Sequence, residues 1–126
     1  MTTQEVANSL VKLCREGKYE QAAKELYSPT ITSVEAEGAP NRIVQGLEAV
    51  AKKGAKFEQM LEKVNSSSFS DPIVAENFFA CTMKMNVQMK GAPGPIDMDE
   101  ICVYTVKDDK IVREEFFYTV QPQQAY

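Results

Sequence analysis

Hydrophobic residues recur at helical spacing early in the chain and at alternate positions later, so the pattern predicts helices first and a sheet afterwards. Thr2 and Glu5 have the spacing of a capping box. Val6, Leu10, Leu13 and Cys14 then repeat every three or four residues until Gly17 supplies a stop, which predicts a helix over about 3–16. A shorter helix follows over about 18–27, with Tyr19, Ala22, Ala23 and Leu26 on one face, and Ser28-Pro29 ends it. The β-branched residues Ile31, Thr32 and Val34 mark a strand over about 30–37, broken by Gly38-Ala39-Pro40-Asn41. Leu47, Val50, Ala51, Phe57, Leu61 and Val64 predict a long amphipathic helix over about 46–64 that carries its lysines and glutamates outside. Gly54 within it costs about 1 kcal/mol relative to alanine, and would permit a close approach to the sheet.

The remainder reads as strands over about 64–75, 78–90, 96–107 and 110–120. The first of these turns falls at Glu76-Asn77 or at Asp71-Pro72. In the second strand Phe79, Cys81, Met83, Met85, Val87 and Met89 alternate with Ala80, Thr82, Lys84, Asn86, Gln88 and Lys90, giving one apolar and one wet face. Gly91-Ala92-Pro93-Gly94-Pro95 forms a loop and Asp108-Asp109 a tight turn, while Gln121 to Tyr126 has no periodicity. With neither repeat nor linker, the 126 residues make one α+β domain over 1–126, three helices on a curved antiparallel sheet.

Composition narrows the function more than the fold. Hydrophobic residues at 44% and charged residues at 25% fit a globular protein. The net charge of -4 argues against a nucleic-acid partner, which needs a basic face. No apolar run approaches the roughly 20 residues of a membrane span, and Met1 to Glu5 lack the character of a signal peptide, so a cytoplasmic protein without a membrane partner is expected. Cys14, Cys81 and Cys102 are odd in number and lie among apolar residues, as reduced core thiols do. The absence of histidine excludes Ser-His-Asp and Cys-His nucleophiles, histidine-ligated zinc and a histidine proton shuttle. No metal or cofactor is expected, and acid-base chemistry falls to carboxylates, tyrosine, lysine or cysteine.

The last two strands each place a carboxylate among apolar residues. Glu100 shares a face with Met98, Cys102, Tyr104 and Val106, and Glu114 shares one with Val112, Phe116 and Tyr118. Parity decides whether the two faces coincide. A two-residue loop puts Val106 opposite Ile111 and the carboxylates on opposite sides, whereas a three-residue loop with a bulge at Asp109 brings them together. Two carboxylates in one apolar cavity would raise at least one pKa towards neutrality and supply a general acid or base. Alternatively each pairs with an arginine or reaches solvent at a sheet edge. Met83, Met85 and Phe79 suit either a core or the wall of an adaptable pocket.

Gln45-Gly46-Leu47-Glu48-Ala49-Val50 opens the third helix, and Val103-Tyr104-Thr105-Val106-Lys107-Asp108-Asp109-Lys110-Ile111-Val112 spans the final hairpin. These motifs and the element order, over nearly the full chain, resemble the nuclear-transport-factor-2-like superfamily in its SnoaL-like polyketide cyclase and ketosteroid isomerase branch. The resemblance implies a cone-shaped α+β barrel of the cystatin-like type. It places Glu35, in Val34-Glu35-Ala36-Glu37-Gly38, where the isomerases carry a catalytic aspartate, and so implies Glu35 as a candidate base. Cys102 falls where the family often has a functional aspartate, with Glu100 one pleat away, and Glu114 falls where many cyclase-like members carry a histidine. Cys102, Tyr104, Glu114, Phe116 and Tyr118 are thereby placed on the cavity side, which favours the bulged hairpin.

The implied pocket has Phe57, Met83, Cys102, Tyr104, Phe116 and Tyr118 as walls, and Glu35, Glu100 and Glu114 as candidate catalytic groups. The chain departs from the isomerases at Leu10, which replaces a carbonyl-polarising tyrosine, and at Cys102. Both changes remove donors that would stabilise an enolate. Asp109 replaces a turn glycine, and aspartate tolerates the left-handed conformation. The resulting expectation is a small-molecule-binding protein taking a small apolar, polyketide-like or steroid-like molecule. One alternative is a cofactor-independent isomerase, cyclase or hydratase-like lyase using a glutamate base, with Tyr104 or Tyr118 as hydrogen-bond donor. Another is a non-catalytic homodimer paired through Ile101 and Val103 on the outer sheet face.

Overall fold

The computed structural model describes residues 1–120, so positions 121–126 of the predicted domain lie outside the described residues. The elements run α1 (Thr3–Arg15), α2 (Tyr19–Leu26), β1 (Tyr27–Val34), β2 (Ile43–Gln45), α3 (Leu47–Met60), β3 (Leu61–Phe69), β4 (Ile73–Ala75), β5 (Phe78–Met89), β6 (Ile96–Lys107) and β7 (Lys110–Phe117). Local chemistry sets both ends of α1. The Glu5 N–H donates to Thr2 Oγ1 at 3.1 Å and the Thr2 N–H donates to Glu5 Oε1 at 2.8 Å, a reciprocal cap. At the other end Gly17 adopts φ +73°, which lets its N–H reach the Cys14 carbonyl and the Lys18 N–H reach that of Leu13.

The sheet order is β2-β1-β7-β6-β5-β3, with β4 beside β3 on the same edge of β5. The meander β5-β6-β7 is antiparallel, as expected, but β1 runs parallel to β7, so the sheet is mixed. A parallel pair needs a long crossover, and all of β2 to β6 intervenes between these strands. The sheet curls without closing, because β2 and β3 end the strand order and do not pair with each other.

Several boundaries differ from the sequence pattern. β1 starts at Tyr27 and runs through Pro29; its register against β7 is interrupted between Tyr27 and Thr32, so the missing proline N–H is not required there. α3 ends at Met60 rather than 64, since Leu61 and Val64 belong to β3. The predicted strand over 64–75 divides at Asp71-Pro72 into β3 and β4, and Glu76, at φ +55°, makes the tight turn into β5. β7 ends at Phe117 rather than 120. No atom comes within 4 Å of a Cβ built on Gly54, so the close approach to the sheet expected there does not occur.

The apolar core lies where α1 and α2 cover the inner face of β5, β6 and β7. Val6, Leu10 and Leu26 meet Phe79, Cys81, Tyr104 and Ile111 there, and the Phe79 and Tyr104 rings stack at 4.7 Å. All three cysteines are free thiols. On the same face Met85 and Met98 are half-buried, while Val87 and Met89 further along β5 are buried.

A candidate ligand site on the inner face of the sheet

The final hairpin brings its carboxylates together by a route that neither sequence alternative described. Asp108 and Asp109 have φ +51° and +67°, a two-residue turn of the mirror-image type, and Lys107 pairs with Lys110 and Val106 with Ile111. That register alone would send Glu114 away from Tyr104. The next pair, however, is Thr105 with Arg113, so Val112 is an extra residue and forms a bulge within β7 rather than at Asp109. Beyond it Tyr104 faces Glu114 and Cys102 faces Phe116, so Glu114 shares the inner face with Glu100.

Strand pairing and α3 then build a polar chain around Glu114, which is 3% exposed. Ser33 lies beside it on the parallel strand and donates from Oγ to Glu114 Oε2 at 2.7 Å. Tyr27, where α2 passes into β1, donates its hydroxyl to Glu114 Oε1. Lys53 Nζ donates to Ser33 Oγ at 2.7 Å and pairs with Glu35 Oε2 at 3.0 Å. The Tyr118 hydroxyl completes the chain by donating to Glu35 Oε1 at 2.8 Å. Burial pushes the Glu114 carboxyl up, opposed by the two hydroxyl donors and by Lys53. Burial first, then the Glu114 charge, pushes the Tyr27 phenol well up, which keeps it a donor.

Lys53 was expected outside and is found facing the sheet. It occupies the position between Val50 and Phe57 in the apolar stripe of α3, while its neighbour Lys52 points outward and pairs with Glu48. Its ammonium stands 5.8 Å from the centre of the Phe116 ring. Ser33, Tyr27 and Lys53 were all missed as site residues. The signal for Lys53 was its place in the stripe; the signal for Ser33 was its alternation with Ile31 and Glu35.

Glu100 differs from the other two carboxylates. It is 8% exposed, sits opposite Met83 and shares its face with Met98 and Cys102. Among the described residues no group donates to its carboxylate, whereas both oxygens of Glu35 and of Glu114 hold donors. Among the described residues no fully buried side-chain oxygen or nitrogen lacks a partner, so the Glu100 carboxylate meets the space that solvent reaches. Burial, reinforced by the Glu35 charge and opposed by Lys53, pushes its carboxyl up to about 7.

The expected pocket walls divide by depth. Met83, Cys102 and Tyr104 are buried in the packed core, while Phe57, Phe116 and Tyr118 are half-buried, Phe116 beside Lys53 and Tyr118 bonded to Glu35. Two surface grooves lie elsewhere. One, of about 500 Å³, runs between the end of α3 and the start of β3, and the other, of about 380 Å³, lies between α1 and Asp71-Pro72. Among the described residues there is no cluster of metal-ligating side chains, and no helix is long and apolar enough to cross a membrane.

Comparison with known proteins gives this geometry a context. A family model described as a SnoaL-like domain matches residues 1–118. A candidate SnoaL-like polyketide cyclase from Mesorhizobium loti is 33% identical, with a TM-score of 0.86 over 94% of this chain and 100% of that one. A protein with a ketosteroid isomerase-like fold from Catenulispora acidiphila, crystallised with trimethylamine, has a TM-score of 0.74 at 16% identity, over 92% of this chain and 86% of that one. TerC, co-crystallised with polyporic acid, has a TM-score of 0.73 at 16% identity, over 93% of this chain and 91% of that one. No functionally curated protein matches the chain.

Proposed function

The chain belongs to the SnoaL-like domain family, and from that premise we propose that it binds a small, largely apolar molecule on the inner face of its sheet. The observation that carries this reading is Glu100, a residue 8% exposed whose carboxylate accepts no hydrogen bond among the described residues. A group desolvated to that degree costs stability unless something pairs with it. A ligand lying against Phe57, Met98, Phe116 and Tyr118 would supply the missing partner through a hydroxyl, enol or amine hydrogen. Proteins of the same fold hold trimethylamine and polyporic acid, which supports a small molecule as the occupant here.

A catalytic version of the same reading makes the protein a cofactor-independent isomerase, cyclase or hydratase-like lyase. Its acid or base is then Glu100, whose carboxyl titrates near neutrality, rather than Glu35 or Glu114, whose oxygens already hold donors. A homodimer is compatible with either version. Ile101 and Phe117 face each other across β6 and β7 on the outer sheet face and are 51% and 49% exposed, more than their half-buried neighbour Val103.

Methyl-labelled methionine spectra test the binding reading, with 2-naphthol and 2-acetonaphthone as neutral probes. Shifts at Met83, Met85 and Met98, with Met1 and Met60 unmoved, are expected. Absence of any response, or a response confined to the outer face around Phe78 and Ile101, would remove the proposed site. A monomer by size exclusion at micromolar concentration would remove the dimer.

A further inference from the structure

Three carboxylates and one ammonium converge on the inner face of the sheet beside α3, and their bonding is unequal. Lys53 serves two of the acids at once. It pairs directly with Glu35 at 3.0 Å and reaches Glu114 through Ser33, since it donates to Ser33 Oγ at 2.7 Å and Ser33 donates onward to Glu114 at 2.7 Å. Tyr118 and Tyr27 add a hydroxyl to each of those acids. Glu100 accepts no hydrogen bond from this arrangement among the described residues, although the residue is only 8% exposed. The site therefore holds three carboxylates against one ammonium, and Glu100 is the acid to which that ammonium makes no hydrogen bond.

We propose that this site selects cationic ligands, specifically small organic amines with an apolar body, over neutral molecules of the same shape, and that it excludes carboxylates. The inference rests on the reading of this face as a ligand site and adds the charge of its occupant. An ammonium N–H would donate to the Glu100 carboxylate in a charge-assisted bond, with the apolar body against Met98 and Phe116. Lys53 stays with Glu35 and Ser33 and is not displaced. A carboxylate ligand would stand beside Glu100 and Glu35 with Lys53 already engaged, and like charges among half-buried apolar side chains repel.

The groups facing Glu100 are Glu35 from the end of β1, Lys53 from α3, Tyr118 beyond β7 and Cys102 on its own strand. Tyr118 is held in its neutral form by burial and by its bond to Glu35, and Cys102 by its thiol partner Cys81 and by burial, so neither adds charge near neutral pH. Cation preference should therefore follow the ionisation of Glu100 itself. It should grow as pH rises through neutrality and shrink below it.

Benzylammonium, benzyl alcohol and benzoate share one shape and differ in charge, and their binding to the full chain is measured by calorimetry at about pH 8 and about pH 5.5. At the higher pH the expected order is benzylammonium, then benzyl alcohol about tenfold weaker, then benzoate, with the first gap closing at the lower pH. Glu100→Gln should abolish the preference while leaving benzyl alcohol binding in place, and Glu58→Gln on the outer side of α3 should change nothing. Benzyl alcohol binding equal to or tighter than benzylammonium, or a preference that persists in Glu100→Gln, overturns the charge assignment and leaves the ligand site standing. Failure of all three probes to bind overturns the site and the inference together.

Discussion

Replacing Glu100 by glutamine removes a charge while keeping nearly the same volume and shape, so the change isolates the cost of keeping an ionised carboxylate in this place. Its carboxyl moves from an ordinary 4.5 to about 7 on folding, because burial and the Glu35 charge disfavour the anion. At about 1.4 kcal/mol per pH unit, the shift corresponds to about 3 kcal/mol. The sign follows from proton binding. Between the two values the folded chain holds a proton that the unfolded chain has lost, so this group's contribution is fully present below pH 4.5 and is lost as pH rises through about 7. Glutamine does not titrate and resembles the protonated acid. Urea unfolding at a series of pH values should therefore show Glu100→Gln close to the parent at low pH and about 3 kcal/mol more stable by pH 8. The other carboxylates titrate in both proteins and largely cancel in the difference. A stability difference that does not change with pH would refute the reasoning, as would a parent protein favoured at pH 8.

Lys53→Met should destabilise the fold by about 2 kcal/mol, because it leaves Glu35 and the Ser33–Glu114 pair without their shared cation; double substitution with Glu35→Gln should recover part of the loss in thermal unfolding. Tyr27→Phe deletes one donor to a buried carboxylate and should cost about 2 kcal/mol in urea titration, where a change below experimental error would show that Glu114 does not depend on it. Deleting Val112 removes the bulge and turns Glu114 and Phe116 to the outer face. The expected result is loss of cooperative unfolding by circular dichroism, and a normally folded deletion variant would contradict the register described for the hairpin.

Most of the element order was legible because it rests on short-range signals. The capping box at Thr2 and Glu5, the stop at Gly17 and the alternation along β5 each act within a few residues, and all three appear in the structure. The resemblance to the SnoaL-like branch was carried by the same kind of local motif. What escaped depended on contacts distant in sequence or on a one-residue irregularity. The β1–β7 pairing that puts Ser33 beside Glu114 spans 81 positions, and no periodicity reports it.

Lys53 was assigned to the outside because lysine usually is, although its position in the stripe of α3 pointed inward. The bulge at Val112 has no glycine or proline to mark it, and parity along β7 could be settled only from the pairing itself. For the same reason the sequence identified the three glutamates as a group but not their roles. Only their bonding separates Glu35 and Glu114, each held by donors, from Glu100, which accepts none among the described residues.

The ionisation of Glu100 bears most directly on the whole account. With carboxyl-labelled glutamate and Glu100→Gln for assignment, a carbon NMR titration of the free protein should give a midpoint near 7 for this residue. Saturating benzylammonium should move that midpoint down, because a bound cation favours the carboxylate. A midpoint in the ordinary glutamate range of about 4.3, unmoved by any probe, would mean that Glu100 is solvated like a surface acid and that the inner face of the sheet is not a ligand site.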